Sequence, residues 1–315
     1  MAVFGENDAD SYAILPKSVE VKRPLVIGCC SARKAIEASL LVAELPIGHI
    51  DEIAERWLIS LSGTEPGIAA ADLYTGRSFK YAKEAAACLS ADLGILSAGL
   101  GYVDGARAIP SYNLAVGPGP ASIAQHVHDF DPRRWWDRIA SGRYSSDPLA
   151  AIEHRPIILL ALTKDYARMA GRLLDSLAAR PDGVRVFGAG AASYVPGALV
   201  RCVMPYDQRM SPRGTRGDFA GRALLAHARL LTKRPSPLCL EQEREEVVIA
   251  MARGKAPDIA ARTKTSDAAI AREIKPWLQV EPRISRTRLV RRLRDQCGIA
   301  CSDARAARIA EALIA

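Results

Sequence analysis

The sequence predicts an α/β protein with a mostly parallel central sheet flanked by helices, followed by a C-terminal helical domain of helix-turn-helix type. Three observations predict it. Near-continuous apolar runs, "RPLVIGCC" (23–30), "DLGILSAGLGYVD" (92–104) and "RPIILLALT" (155–163), alternate with stretches of helical spacing. Such runs suit strands buried on both faces of a parallel sheet. After "KRPSP" (233–237) the texture becomes short, helical and Arg-rich. The 315 residues, 49% of them apolar, are enough for two cores.

In chain order, residues 1–20 read as a loose lead-in and 21–235 as the α/β domain. "RPLVIGCC" is a strand bounded by Pro24 and the polar "SARK". "KAIEASLLVAEL" (34–45) and "HIDEIAERWLISL" (49–61) have helical spacing. "SGTEPGIAAADLYTG" (62–76) reads as a loop, and "SFKYAKEAAACLSA" (78–91) as a helix with Ser78 placed to cap it. Pro132 suits the first position of a short helix. "KDYARMAGRLLDSLAA" (164–179) is a helix, "GVRVFGA" (183–189) and "GALVRCVMPYD" (197–207) are strands, and "FAGRALLAHARLLTKR" (219–234) is a helix. Residues 241–315 form the helical domain. "SDAAIAREIKPWL" and "SDARAARIAEALI" open on Ser-Asp caps, "SRTRLVRRLRDQCG" ends at Gly298, and residues 283–294 hold six Arg and no acid.

Charge and cysteine usage narrow the function classes. A formal net charge of +8 is compatible with a polyanionic partner. Seven scattered cysteines, with no C-x-x-C pair and no zinc-finger spacing, argue against a disulfide framework and for a reducing cytoplasm. The acidic start lacks the basic and apolar regions of a signal peptide, and no apolar run approaches a membrane span. A soluble cytoplasmic protein is expected. The chain carries no Walker A loop, G-x-G-x-x-G, H-E-x-x-H or G-x-S-x-G, so neither metal nor cofactor is expected.

Ligands of open α/β sheets bind outside the carboxyl ends of strands, and three strand exits stand out. At "GCCSARK", small residues let backbone N–H groups face a ligand, with Lys34 to meet an anion; Cys29 and Cys30 read as small core residues rather than nucleophiles. In "ILSAGLGYVDGARAIPSYNL" (95–114), Ser97, Gly99 and Gly101 permit close backbone approach. Tyr102 and Tyr112 offer stacking faces, Asn113 a donor and an acceptor, and Asp104 a carboxylate. The same stretch can equally be an irregular connection that turns at Asp104-Gly105. In "MPYDQRMSPRGTRGDFAGR", Arg209, Arg213 and Arg216 punctuate a loop, and Asp218 precedes a helix, a pattern suited to a phosphodiester.

"CCSARK", "AADLYTGRSFKYA" and "ILSAGLGYVDGARAIPSYNL" together resemble a pattern of bacterial and phage proteins related to uracil-DNA-glycosylase-like and archaeosine-synthase-like α/β domains. One branch is the alpha-glutamyl/putrescinyl thymine pyrophosphorylase clade, associated with hypermodified phage DNA bases. The resemblance covers about residues 24–114, with a weaker match at 206–222. Tyr102 stands where the pattern has Leu, and Asn113 where it often has Asp. The segment 284–314 is similar to the winged-helix module ending bacterial DNA translocases.

The resemblance implies a uracil-DNA-glycosylase-like fold. It also implies a DNA glycosylase that removes a modified base, such as glucosylated 5-hydroxymethylcytosine, from double-stranded phage DNA in anti-phage defence; with no nucleophilic Lys at a strand end other than Lys34, a monofunctional hydrolytic enzyme without β-elimination is expected. Asp104 is the first expected catalytic carboxylate, with Asp218 and Asp72 behind it. Ser97, Gly99, Tyr102, Tyr112, Asn113 and Tyr74 are expected to hold the base. Lys34, Arg209, Arg213, Arg216, Arg286, Arg288, Arg291 and Arg292 are expected to hold DNA. The alternative is a DNA-bound regulator whose α/β domain senses a nucleotide; a nucleoside hydrolase is a third reading.

Overall fold

The computed structural model describes residues 23–211, 213–234, 238–254 and 262–314. The lead-in expected at 1–20 lies outside them. The chain divides between residues 255 and 256 into two compact units.

The first unit is built on a five-stranded sheet of β1 (Leu25–Cys29), β2 (Asp92–Ser97), β3 (Gly101–Asp104), β4 (Ile158–Ala161) and β5 (Val184–Phe187). Their order is β3-β2-β1-β4-β5. Only β3 runs antiparallel, folding back on β2 with Ser97 opposite Gly101 and Gly94 opposite Asp104. The register sets Cys29 beside Leu96, Ile27 beside Leu160 and Ala161 beside Phe187, so the carboxyl ends of the four parallel strands share one edge. Leu25, Val26 and Ile27 are consecutive and all fully buried, as are Ile158, Leu159 and Leu160. Successive strand residues point to opposite faces, so both faces are covered.

The longer helices around this sheet are α1 (Ile50–Ser62), α2 (Arg77–Cys88), α3 (Pro132–Ile139), α4 (Lys164–Met169), α5 (Gly171–Ala178), α6 (Phe219–Thr232) and α7 (Leu240–Arg253), with shorter ones at Ala70–Leu73 and Pro148–Ile152. Gly28 lets β1 approach α2, because a Cβ there would stand 2.9 Å from that of Ala82. In α3, Pro132 occupies the first turn and Asp131 caps it, accepting from the Arg134 N–H at 2.7 Å.

The structure departs from the sequence expectations at four places. Residues 34–45 form no α-helix, only a 3-10 turn at Val42–Glu44. Ser39 N–H bonds the Ser111 carbonyl at 3.0 Å, and Leu40–Leu41 pairs in parallel with Tyr112–Asn113. These partners are far away in sequence and outweigh local helical spacing. Residues 197–202 form 3-10 turns rather than a strand, bracketed by Pro196 and Pro205. Pro cannot donate to a ladder, and one bridge, Val186 to Val203, is what pairs there. Gly76, not Ser78, is the N-cap of α2.

The fourth departure moves the domain boundary. Sequence texture starts the helical domain at residue 241, yet α7 belongs to the α/β unit. Its Leu240, Val247 and Met251 join the main core. Its Glu243, 1% exposed, accepts from Arg185 Nε at 2.5 Å and Nη2 at 2.8 Å, and meets His227 Nε2 at 2.9 Å. Burial raises the Glu243 carboxyl, but Arg185 and His227 outweigh it and hold the group below its ordinary range. For His227 burial wins over the pull of Glu243 and pushes the imidazole down.

The second unit packs α8 (Asp267–Val280), α9 (Arg286–Asp295) and α10 (Asp303–Ile314) around Ile270, Ile274, Leu289, Leu293 and Ile309. Ser266 and Ser285 cap α8 and α9, and Gly298 takes φ +62° just beyond α9, a conformation that costs glycine little. Among the described residues no helix is long and apolar enough to cross a membrane.

Breaking the Arg185–Glu243 pair leaves a buried guanidinium uncompensated, so Glu243→Ala is expected to cost about 3–5 kcal/mol in chemical denaturation. The same cluster sets a pH dependence. His227 is depressed in the folded state, so its share of stability is lost as pH falls below the unfolded value near 6.5. Glu243 adds a further loss below its ordinary 4.5. A His227→Gln variant should lack the first loss when unfolding is followed between pH values of about 7 and 5.

Candidate functional site

At the carboxyl edge of the sheet the chain gathers five hydroxyl, thiol and amine groups from segments far apart in sequence. Ser97 ends β2, Cys30 and Lys34 follow β1, Tyr74 precedes α2, and Tyr112 returns from the long excursion after β3. The Tyr112 hydroxyl lies 2.6 Å from Ser97 Oγ, 2.9 Å from the Tyr74 hydroxyl and 3.7 Å from Cys30 Sγ. Cys30 Sγ in turn lies 2.9 Å from the Tyr166 hydroxyl. The Leu100 N–H donates to Ser97 Oγ at 3.0 Å, so the serine is held from both sides.

Close packing holds this network in place. A Cβ on Gly99 would stand 2.9 Å from the Tyr112 ring. The indole N–H groups of Trp57 and Trp135 donate to the carbonyls of Gly99 and Ala98 at 2.6 and 2.8 Å, tying α1 and α3 to the turn between β2 and β3. Ser97, Tyr74 and Tyr112 are fully buried and make a floor, while Cys30, Lys34 and Tyr166 are half-buried and make a rim.

Burial dominates the electrostatics. It pushes the phenols of Tyr74, Tyr112 and Tyr166 upward, so they stay neutral donors. It drives the Cys29 thiol up as well. Lys34 Nζ sits 4.5 Å from the centroid of the Tyr112 ring and 5.9 Å from that of Tyr74. Desolvation there pulls the ammonium below its ordinary range, with Cys30 acting the other way.

The structure thus brings together Ser97, Gly99, Tyr112, Tyr74 and Lys34 from the expected site. It separates the rest. Asp104 pairs with Gly94, three residues back from Ser97, which puts it roughly 10 Å toward the opposite edge of the sheet. It is exposed, as is Asn113. Tyr102 packs on Gly94 with its hydroxyl buried and unpartnered. Asp72 is exposed and paired with Lys83 at 2.6 Å. Tyr102 and Asp104 lie on β3, Asp72 in a short helix (Ala70–Leu73) and Asn113 in a short strand pair. The hairpin between β2 and β3 reverses the chain at Gly101 and carries Asp104 away from the edge where Ser97 remains.

Asp218 is buried in a structural role. Its Oδ1 accepts from Thr215 N and Arg222 Nε at 3.0 and 2.8 Å. Its Oδ2 stands 3.2 Å from Arg77 Nη2, an ion pair without hydrogen-bond geometry. That contact sets the 213–217 loop beside the start of α2, which Gly76 N–H ties to Ser31 Oγ at 3.0 Å. Arg213 and Arg216 are exposed on this loop. Arg209 is turned back, its guanidinium gripping Asp207 at 2.6 to 3.1 Å and holding that carboxyl low.

Sequence reasoning read Cys30 as a small core residue and passed over Tyr166 and Asp165. "TKDYARM" comes directly after β4, so the rule that drew attention to the other exits also applies to it. Asp165 Oδ2 lies 3.1 Å from where a Cβ on Gly117 would stand. Asp165 sits in the first turn of α4, just past the end of β4, so the chain puts a carboxylate at this edge.

In the second unit, Arg286 pairs with Glu311 at 3.0 Å and Arg288 with Glu281 at 2.6 Å. Arg292 reaches Glu281 at 3.7 Å and stacks over Trp277. Arg291 is exposed and makes no ion pair among the described residues. Among those residues no group of three or more His, Cys, Asp or Glu is placed to hold a metal ion.

No family model, curated protein or solved structure matches the chain.

Tyr112→Phe removes the hydroxyl shared by Ser97, Tyr74 and Cys30 and should cost about 1–3 kcal/mol of stability. Acylation of the folded protein, followed peptide by peptide over a pH series, should find Lys34 reacting at lower pH than Lys83, whose ammonium is held by Asp72.

Proposed function

We propose that the α/β unit is a DNA glycosylase of uracil-DNA-glycosylase-like fold. It would cut the N-glycosidic bond of a modified base, of the glucosylated 5-hydroxymethylcytosine kind, in double-stranded phage DNA as a defence against phage. The observation that carries this reading is the buried cluster of Lys34, Tyr112, Tyr74, Ser97 and Cys30 at the carboxyl edge of the sheet. Its motifs are those on which the family resemblance rests.

A glycosylase must hold DNA, receive an extruded base and manage positive charge that develops on the sugar. The half-buried rim of Cys30, Lys34 and Tyr166 has both polar groups and a dry floor. Neutral groups that stay protonated there can donate to a leaving base. Asp165 is the carboxylate this edge offers to orient water or offset the sugar's charge. Arg33 and Lys164 beyond the ends of β1 and β4, and Arg77, Arg213 and Arg216 at the start of α2 and on the loop beside it, are exposed cations suited to phosphates.

The second unit supplies a cationic helix. Exposed ion pairs are worth little, so phosphates can displace Glu311 and Glu281 from Arg286 and Arg288, and Arg291 needs no release.

The test is incubation of the full chain with glucosylated 5-hydroxymethylcytosine DNA, analysed for free base and for strand breaks after alkali. Release of base, lost in Tyr112→Phe and kept in Asp104→Asn, is expected. Binding without any base release would sink the enzymatic reading in favour of a DNA-bound regulator. Arg291→Ala combined with Arg292→Ala should weaken DNA binding and reduce the slope of log affinity against log salt by about one unit for each phosphate no longer neutralised; an unchanged slope would remove α9 from the interface.

A further inference from the structure

We propose that the Lys34 amine is a nucleophile toward the C1′ aldehyde of an abasic deoxyribose, which gives the α/β unit a strand-cleaving lyase activity. The substrate class rests on the glycosylase reading. The nucleophile rests on the surroundings of Lys34.

Two hydrogen bonds hold the backbone at Lys34 in an antiparallel bridge with Tyr74: Thr75 N–H donates to the Arg33 carbonyl at 3.0 Å, and Ala35 N–H donates to the Leu73 carbonyl at 2.8 Å. The side chain therefore leaves a fixed point and lies over the Tyr112 ring, with Nζ 4.5 Å from its centroid. Its hydrogen bond to the Ser31 carbonyl is long, 3.5 Å. No carboxylate pairs with it among the described residues, in contrast to Lys83, which Asp72 holds at 2.6 Å. A desolvated lysine without a counter-anion is the setting in which an amine becomes a nucleophile at neutral pH. Its depressed pKa agrees with that setting. The position also fits, because Lys34 lies beyond the exit of β1, on the edge where Ser97 and Tyr112 make the floor.

The chemistry balances without oxidant or metal. The Nζ lone pair adds to C1′ of the open-chain sugar, and the carbonyl oxygen takes up a proton. The carbinolamine loses water to give a C1′=Nζ iminium. The iminium acidifies C2′; when a base removes that proton, the C3′–O bond breaks and its electron pair leaves with the 3′ phosphate. Water then hydrolyses the imine and restores the amine.

The experiment uses the full chain and a duplex containing one preformed abasic site, with and without borohydride. The expected results are a covalent protein–DNA band on reduction, mapped to Lys34 by peptide mass spectrometry, and a strand break without alkali. Lys34→Arg and Lys34→Met should lose both while keeping the thermal melting of the parent. Absence of a covalent band with the parent protein, or an undiminished band in both variants, overturns the proposal. The two readings fail separately. Base release with breaks only after alkali, and no trapping, removes the lyase and leaves the glycosylase. Trapping at Lys34 without release of any base supports the amine and removes the glycosylase.

Discussion

The Tyr112 hydroxyl joins three stretches of chain at one point. It reaches Ser97 at the end of β2, Tyr74 ahead of α2 and Cys30 beyond β1. A buried phenol that loses such partners carries a desolvation cost with nothing to offset it. The excursion from Gly101 to Ser111 must therefore return to one place. The pairing of Leu40–Leu41 with Tyr112–Asn113 and the contact of Gly99 with the Tyr112 ring depend on that return. Lys34 gains its aromatic surface from the same ring.

A second buried polar cluster sits at the other end of the sheet's strand order. Arg185 on β5, Glu243 on α7 and His227 on α6 bond one another with almost no exposure. Such a cluster contributes little net stability compared with apolar residues of the same shape, but it is costly to break. It specifies where α7 docks, and so assigns that helix to the α/β unit even though its sequence texture resembles that of the second unit.

Charge is used differently in the two units. In the α/β unit Asp218 is buried, with Arg222 and Arg77 against it. On α9 the arginines sit in exposed pairs that solvent weakens. A polyanion can exchange into those pairs with small loss, whereas Arg209, closed on its neighbour Asp207, has less to gain.

The sequence by itself determined the strands β1, β2 and β4, the serine caps of the second unit, and the carboxyl edge as the place to look. Continuous apolar runs, Ser before a helical run and strand exits are local signals, and each acts within a few residues. It also picked out Ser97, Tyr112 and Lys34, because small and polar residues are out of place at the end of a core strand, and Tyr74 through the family resemblance. Only the tertiary structure decided that Asp104 leaves the site. The reversal at Gly101 sends β3 antiparallel, so a residue three positions beyond that glycine lies back along the sheet. Likewise, Leu40 and Leu41 join a strand pair rather than a helix, and Cys30 meets Tyr166 across 136 positions of sequence. Long-range partners outweigh helical spacing there, and no local pattern records which partner a residue will find.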